Sequence, residues 1–173
     1  MKEYYTCCFF GHREIEITDE LVKDLKETIE KMIIEERYQV FLFGGFGQFD
    51  DLCYKIVSEL KKTYPFIKRY FYLWDPKQER GKKPYWLLHE EYEDFYYHGS
   101  LYYYWYTSIY YRNVAMIRDS DCILFYLTNP TSKSGAYKSY LYAKKIKKQV
   151  RFIHCKEPIQ TKKEKIKTKK DIV

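Results

Sequence analysis

Phe41-Leu42-Phe43-Gly44-Gly45-Phe46-Gly47-Gln48-Phe49-Asp50-Asp51 is an apolar run, then a glycine turn, then an acidic pair. Val40 to Phe43 reads as a buried strand. From Asp50 to Lys62 the apolar residues Leu52, Ile56, Val57 and Leu60 recur at helical spacing. Strand, glycine loop and helix in that order form a cradle for an anion. Glycines let the backbone approach a ligand closely, and the first N–H groups of a helix have no partner inside it. A tight strand-to-helix connection would use the same glycines. The spacing is neither that of the P-loop nor that of the dinucleotide GxGxxG fingerprint.

Two further corners of this kind flank the loop in sequence. Upstream, Tyr4 to Phe10 is a continuous apolar run that reads as a strand buried on both faces, ending in Gly11-His12-Arg13. Arg13 is suited to a phosphate or carboxylate through paired N–H groups, although a turn with two solvated side chains would look the same. Thr18 is an N-cap candidate for a helix with the stripe Leu21, Leu25, Ile29, Met32 and Ile33, running to about Arg37. It returns the chain to the strand Gln39 to Phe43.

Downstream, Ile67 to Leu73 reads as a third strand and Ser108 to Arg118 as a helix carrying Arg112 and Asn113. Cys122 to Leu127 reads as a fourth strand, followed by the small-residue loop Thr128 to Gly135. That loop leads into a helix bearing Ala136, Leu141, Ala143 and Ile146, and Val150 to Ile153 is a fifth strand. Between Tyr85 and Tyr111 the chain is crowded with tyrosine and has no clear period. A short helix from Pro84 to Phe95 is expected there. Its aromatics suit packing, a contact between copies of the chain, or stacking on a base.

This alternation predicts a three-layer α/β/α Rossmann-like sandwich with a mainly parallel sheet, over residues 1–155. Parallel topology then puts the three corners, Gly11 to Arg13, Gly44 to Asp50 and Thr128 to Gly135, along one sheet edge. Ligands of open α/β sheets lie there. Residues 156–173 read as a basic, flexible tail.

Composition removes several classes of function. The 173 residues fit one domain with a real core. The formal net charge is +7, but the excess is concentrated in the lysine-rich tail, so the body is no broad nucleic-acid surface. Five cysteines form no CxxC pair, and the four histidines have no metal-ligand spacing. No metal site is expected. Cys7 and Cys8 lie inside a buried strand, a poor place for a nucleophilic thiolate. No apolar segment approaches a membrane span, and no secretory signal is seen. A cytoplasmic protein without membrane contact is expected.

Four short motifs in order resemble those of a known family. Cys7-Cys8-Phe9-Phe10-Gly11-His12-Arg13 is similar to the "CCFTGHR" opening of the YpsA-like (DUF1273) group of the SLOG superfamily. That superfamily also includes DNA-processing protein A and the LOG phosphoribohydrolases. The loop Phe43 to Asp50 resembles that group's glycine-rich loop. Tyr111-Arg112-Asn113 with Met116 and Ser120-Asp121 resembles its "RN…M…SD" segment, and Ser134-Gly135 with Tyr142-Ala143 its "SGT…YA" helix start. The resemblance runs from Cys7 to about Ile153.

It implies a Rossmann-like fold and a nucleotide or nucleotide-derived ligand of the ADP-ribose type. The candidate contacts are Gly11, His12, Arg13, Gly44, Gly45, Gly47, Asp50, Arg112, Asn113, Ser134 and Gly135. Catalytic relatives place a glutamate in the glycine-rich loop or after "SGT", and the latter position here is Ser139. Glycosidic-bond chemistry needs a carboxylate, which leaves Asp50, with Asp51 beside it, as the catalytic candidates. The first expectation is a nucleotide-binding sensor or regulatory protein without turnover. The alternatives are an N-glycosidic hydrolase or transferase using Asp50, and a single-stranded nucleic-acid binder using the tyrosine-rich segment and the tail. Self-association through the tyrosine-rich segment is also expected.

Overall fold

The computed structural model describes residues 2–73, 91–97, 105–128 and 134–158. Its centre is β1 (Tyr5–Gly11), whose Thr6 to Phe10 are all buried. A strand of this kind needs cover on both faces, and the neighbouring elements supply it. The strands β2 (Tyr38–Phe43), β3 (Lys68–Leu73), β4 (Asp94–Tyr97), β5 (Cys122–Tyr126) and β6 (Gln149–Phe152) complete a sheet of order β4-β3-β2-β1-β5-β6. Every strand pairing is parallel. In register, Cys7 of β1 stands between Phe41 of β2 and Cys122 of β5.

The helices α1 (Asp19–Glu36) and α2 (Gln48–Thr63) cover one face, and α3 (Trp105–Asp119) and α4 (Gly135–Lys145) the other. On the first face Leu21, Leu25 and Ile29 of α1 and Phe49, Cys53 and Val57 of α2 pack on Phe9, Phe41 and Phe43. On the second, Met116 and Ile117 of α3 and Tyr137 and Tyr140 of α4 pack on Cys8, Phe10, Leu42 and Phe125. Alternate residues of one strand thus feed two cores, giving the α/β/α sandwich expected. Thr18 caps α1 as read, its Oγ1 accepting the Leu21 N–H at 3.1 Å. Among the described residues no helix is long and apolar enough to cross a membrane.

One element differs. Asp94–Tyr97 is a sixth strand at the sheet edge, where the sequence suggested the end of a helix from Pro84. Phe95 packs toward the first core and Tyr96 toward the second. Both faces of this strand are aromatic, so it carries no polar alternation to reveal a period of two. The edge is fastened by Arg69, which donates from Nη2 to Glu93 Oε1 at 2.8 Å while its own N–H donates to Glu93 Oε2 at 2.6 Å. Residues 85–90 and 98–104 of the tyrosine-rich segment, and the tail beyond 158, lie outside the described residues, while 105–111 form the start of α3.

The chain leaves β1 toward β2, β3 and β4, then returns to the other side of β1 as β5. Successive connections therefore run in opposite directions on either side of β1, which opens a crevice beyond the carboxyl ends of β1 and β5.

Candidate functional site

The glycine loop after β2 is folded around a carboxylate. Asp50, in the first turn of α2, is buried, and its Oδ2 accepts the Gly45 N–H at 2.6 Å and its Oδ1 the Gly44 N–H at 3.4 Å. Gly45 takes φ +64° and Gly47 φ +105°, backbone shapes that favour glycine. Gly47 is the N-cap of α2 and supplies no side-chain bond, so Asp50 serves the loop rather than the helix end.

Arg112 of α3 approaches the same loop from the other face. It is buried to 3% exposure, and its Nη1 donates to the Gly44 carbonyl. A Cβ on Gly44 would fall 2.4 Å from that nitrogen and 2.6 Å from Cζ, so the close approach needs a glycine. Arg112 Nε donates to Asn113 Oδ1 at 3.0 Å, and Asn113 Nδ2 donates to Ser139 Oγ at 3.3 Å. Ser139 Oγ in turn donates to the Gly135 carbonyl at 3.0 Å. A continuous chain of hydrogen bonds therefore joins the glycine loop to the first turn of α4. The α4 N-terminus is capped by Ser134, whose hydroxyl accepts the Tyr137 N–H at 3.4 Å.

The corner after β1 completes the site. Gly11 lies against Phe49, where a Cβ would sit 2.5 Å from the ring, which gives this glycine a packing role. Arg13 is exposed and places its guanidinium 4.8 Å from the centroid of the Phe46 ring. The two loops are tied together: the Gln48 N–H donates to the Arg13 carbonyl at 2.8 Å, and the Ile15 N–H donates to Gln48 Oε1 at 2.8 Å.

These elements surround a cavity of about 440 Å³. Gly11, His12 and Arg13 line it from β1, Gly44 and Asp50 from the glycine loop. Arg112 and Asn113 of α3 and Ser134 and Gly135 at the start of α4 close the other side. The three corners named from the sequence are thus brought to one place. Gly45 and Gly47 stand behind the lining and shape the loop. Asp51 is exposed on the first turn of α2. Phe46, Ile109 and Met116 also line the cavity and were not named from the sequence as contacts, although Met116 belongs to the segment that resembles "RN…M…SD". Phe46 lies within the glycine loop, and its setting between two glycines was the available signal. Residues 129–133 of the third corner lie outside the described residues.

Burial governs the electrostatics here. It pushes the Asp50 carboxyl up from 3.8 to about 6, against the opposing pull of Arg112 and of the two backbone N–H groups. It lowers the Arg112 guanidinium to about 10, so Arg112 remains a cation at neutral pH. Burial also lowers His12, favouring the neutral ring. Among the described residues no group of His, Cys, Asp and Glu side chains could hold a metal ion. Burial raises the thiols of Cys7 and Cys8, keeping them protonated.

No family model matches the chain, and no curated protein matches it. Among solved structures it is similar to DNA processing protein A (DprA) from Streptococcus pneumoniae, with a TM-score of 0.61 at 11% sequence identity. The match covers 88% of this chain and 51% of that one, so the chain spans about half the length of that protein. At this identity the likeness is one of fold: a DprA-like, Rossmann-type α/β sandwich.

Proposed function

We propose that this chain is a nucleotide-binding sensor or regulatory protein of the SLOG type, akin to the YpsA-like group. Its ligand would be a nucleotide or nucleotide derivative of the ADP-ribose class, held without turnover. The observation that carries this reading is the cavity at the strand switch point, where Arg13, Arg112 and the α4 N-terminus face one space. Backbone N–H groups at a helix start and a guanidinium are the standard partners of phosphate. The charges lining the space, Arg13 and Arg112 against Asp50, sum to a positive balance that suits an anionic ligand as a whole. Its volume lies within the usual range of small-molecule sites, about 300–1,000 Å³.

Two features favour binding without turnover. Both Asp50 oxygens already accept backbone N–H groups. Ser139, at the position where related enzymes carry a carboxylate, is a buried link between α3 and α4. A second reading, N-glycosidic cleavage with Asp50 as the carboxylate, has one observation in its favour: a buried carboxyl facing a cleft and shifted to about 6. Nucleic-acid binding through the tyrosine-rich segment and the tail ranks below both, because the basic excess is segregated in the lysine-rich tail and does not spread over the body.

The experiment is a calorimetric titration with AMP, NAD and ADP-ribose, followed by chromatography of each bound mixture. Saturable binding with intact nucleotide recovered supports the sensor. Release of free base that Asp50→Asn abolishes while binding persists would replace it with the enzyme.

A further inference from the structure

Three phenylalanines occur within seven residues of the glycine loop, and they have different fates. Phe43 and Phe49 are completely buried, whereas Phe46 is 39% exposed and lines the cavity. A single exposed apolar residue is ordinary on a protein surface. Phe46 is distinguished by how it is held. The positive-φ glycines Gly45 and Gly47 flank it, and Asp50 pins the N–H groups of Gly44 and Gly45. The Gln48 N–H locks the far end of the loop onto the Arg13 carbonyl. The ring therefore projects from a fixed backbone beside the ligand space, with the Arg13 guanidinium 4.8 Å from its centroid.

We infer that Phe46 is the platform on which the planar ring of the ligand stacks, with Arg13 as the cationic partner of that stack. This inference rests on the nucleotide reading of the same cavity. It adds that the base, and not only the phosphate and sugar, is recognised. An aromatic face and a guanidinium both stack on a purine, and stacking tolerates different bases because each presents a π-face. A platform fixed before the ligand arrives loses little freedom on binding, so the contact is retained as affinity. The polar groups at the α4 start and on α3 are left for the sugar phosphate.

The test compares AMP and ADP-ribose with ribose 5-phosphate, which has no base, by calorimetry on wild type, Phe46→Leu and Phe46→Tyr. Thermal melts without ligand verify that the variants fold, as expected for a partly exposed ring. Phe46→Leu should weaken AMP and ADP-ribose about ten-fold or more, and leave the response to ribose 5-phosphate as in wild type. Phe46→Tyr should bind like wild type. If the base-bearing ligands bind wild type and Phe46→Leu equally, the inference falls while the nucleotide reading stands. An equal loss for ribose 5-phosphate would also overturn it, by showing a general disturbance of the loop. If wild type binds none of the three, the nucleotide reading fails and this inference with it.

Discussion

Gly44 and Gly135 both face the cavity, yet the structure asks different things of them. A side chain on Gly44 would collide with the Arg112 guanidinium, whereas a Cβ on Gly135 meets nothing within 4 Å. Gly44→Ala should therefore destabilise the fold by about 1–3 kcal/mol through overpacking and the displaced arginine. Gly135→Ala should leave stability within about 0.5 kcal/mol. Chemical denaturation of both variants checks the contrast. Asp50 gives a pH-dependent counterpart. Its folded pKa, about 6, lies above the ordinary 3.8, so the folded state holds the proton more tightly. That contribution is fully present below pH 3.8 and is lost as pH rises through about 6. The gap corresponds to about 3 kcal/mol. The stability of wild type relative to Asp50→Asn should fall by an amount of that order across this window. A flat difference between the two denaturation profiles would show that burial does not govern this carboxyl. The place of Asp50 at the end of the glycine loop was legible in the sequence. Its actual partners, two backbone N–H groups of its own loop, were not, because a contact made by a folded loop leaves no spacing pattern.

At the scale of elements, α3 and α4 are joined by a half-buried polar link, Asn113 to Ser139, beside the cavity, and by Arg118 to Tyr142 at the surface. Ser139 is 4% exposed and both donates and accepts there. Ser139→Ala should cost about 0.5–1.5 kcal/mol, the net worth of an ordinary hydrogen bond, since the Asn113 amide that loses this acceptor is only half-buried beside the cavity. Urea denaturation would measure the loss, and an unchanged midpoint would mean that water satisfies the amide. The strands and helices with strong apolar patterns were readable to within one to three residues at their ends. Arg112 was read as a polar residue of its helix and, through the resemblance, as a candidate contact. Its burial against Gly44 arises from a contact between residues far apart in the chain. The edge strand Asp94–Tyr97 was missed for the opposite reason. Its aromatic residues fill both faces, and an unbroken aromatic run does not distinguish a strand from a buried helix.

At the scale of the molecule, strand order decides where chemistry can occur. The parallel sheet and its two helical layers followed from the alternation of elements, but nothing in the sequence dictates that β5 returns beside β1. That return brings the ends of β1 and β2 and the start of α4 around one cavity. The opposite end of the sheet provides an internal control. Arg37 sits there at the C-cap of α1 with φ +60°, beside Tyr5 and far from the cavity in the fold. The most direct test of the nucleotide reading is a thermal-shift measurement with nucleotides, NAD and ADP-ribose on wild type, Arg13→Ala and Arg37→Ala. A ligand that binds only the folded state stabilises it by about 2.7 kcal/mol at a hundred times its Kd. On the nucleotide reading, at least one of these ligands should give a shift in melting temperature that Arg13→Ala removes and Arg37→Ala keeps. No shift with any of them, or a shift that survives Arg13→Ala, would contradict it.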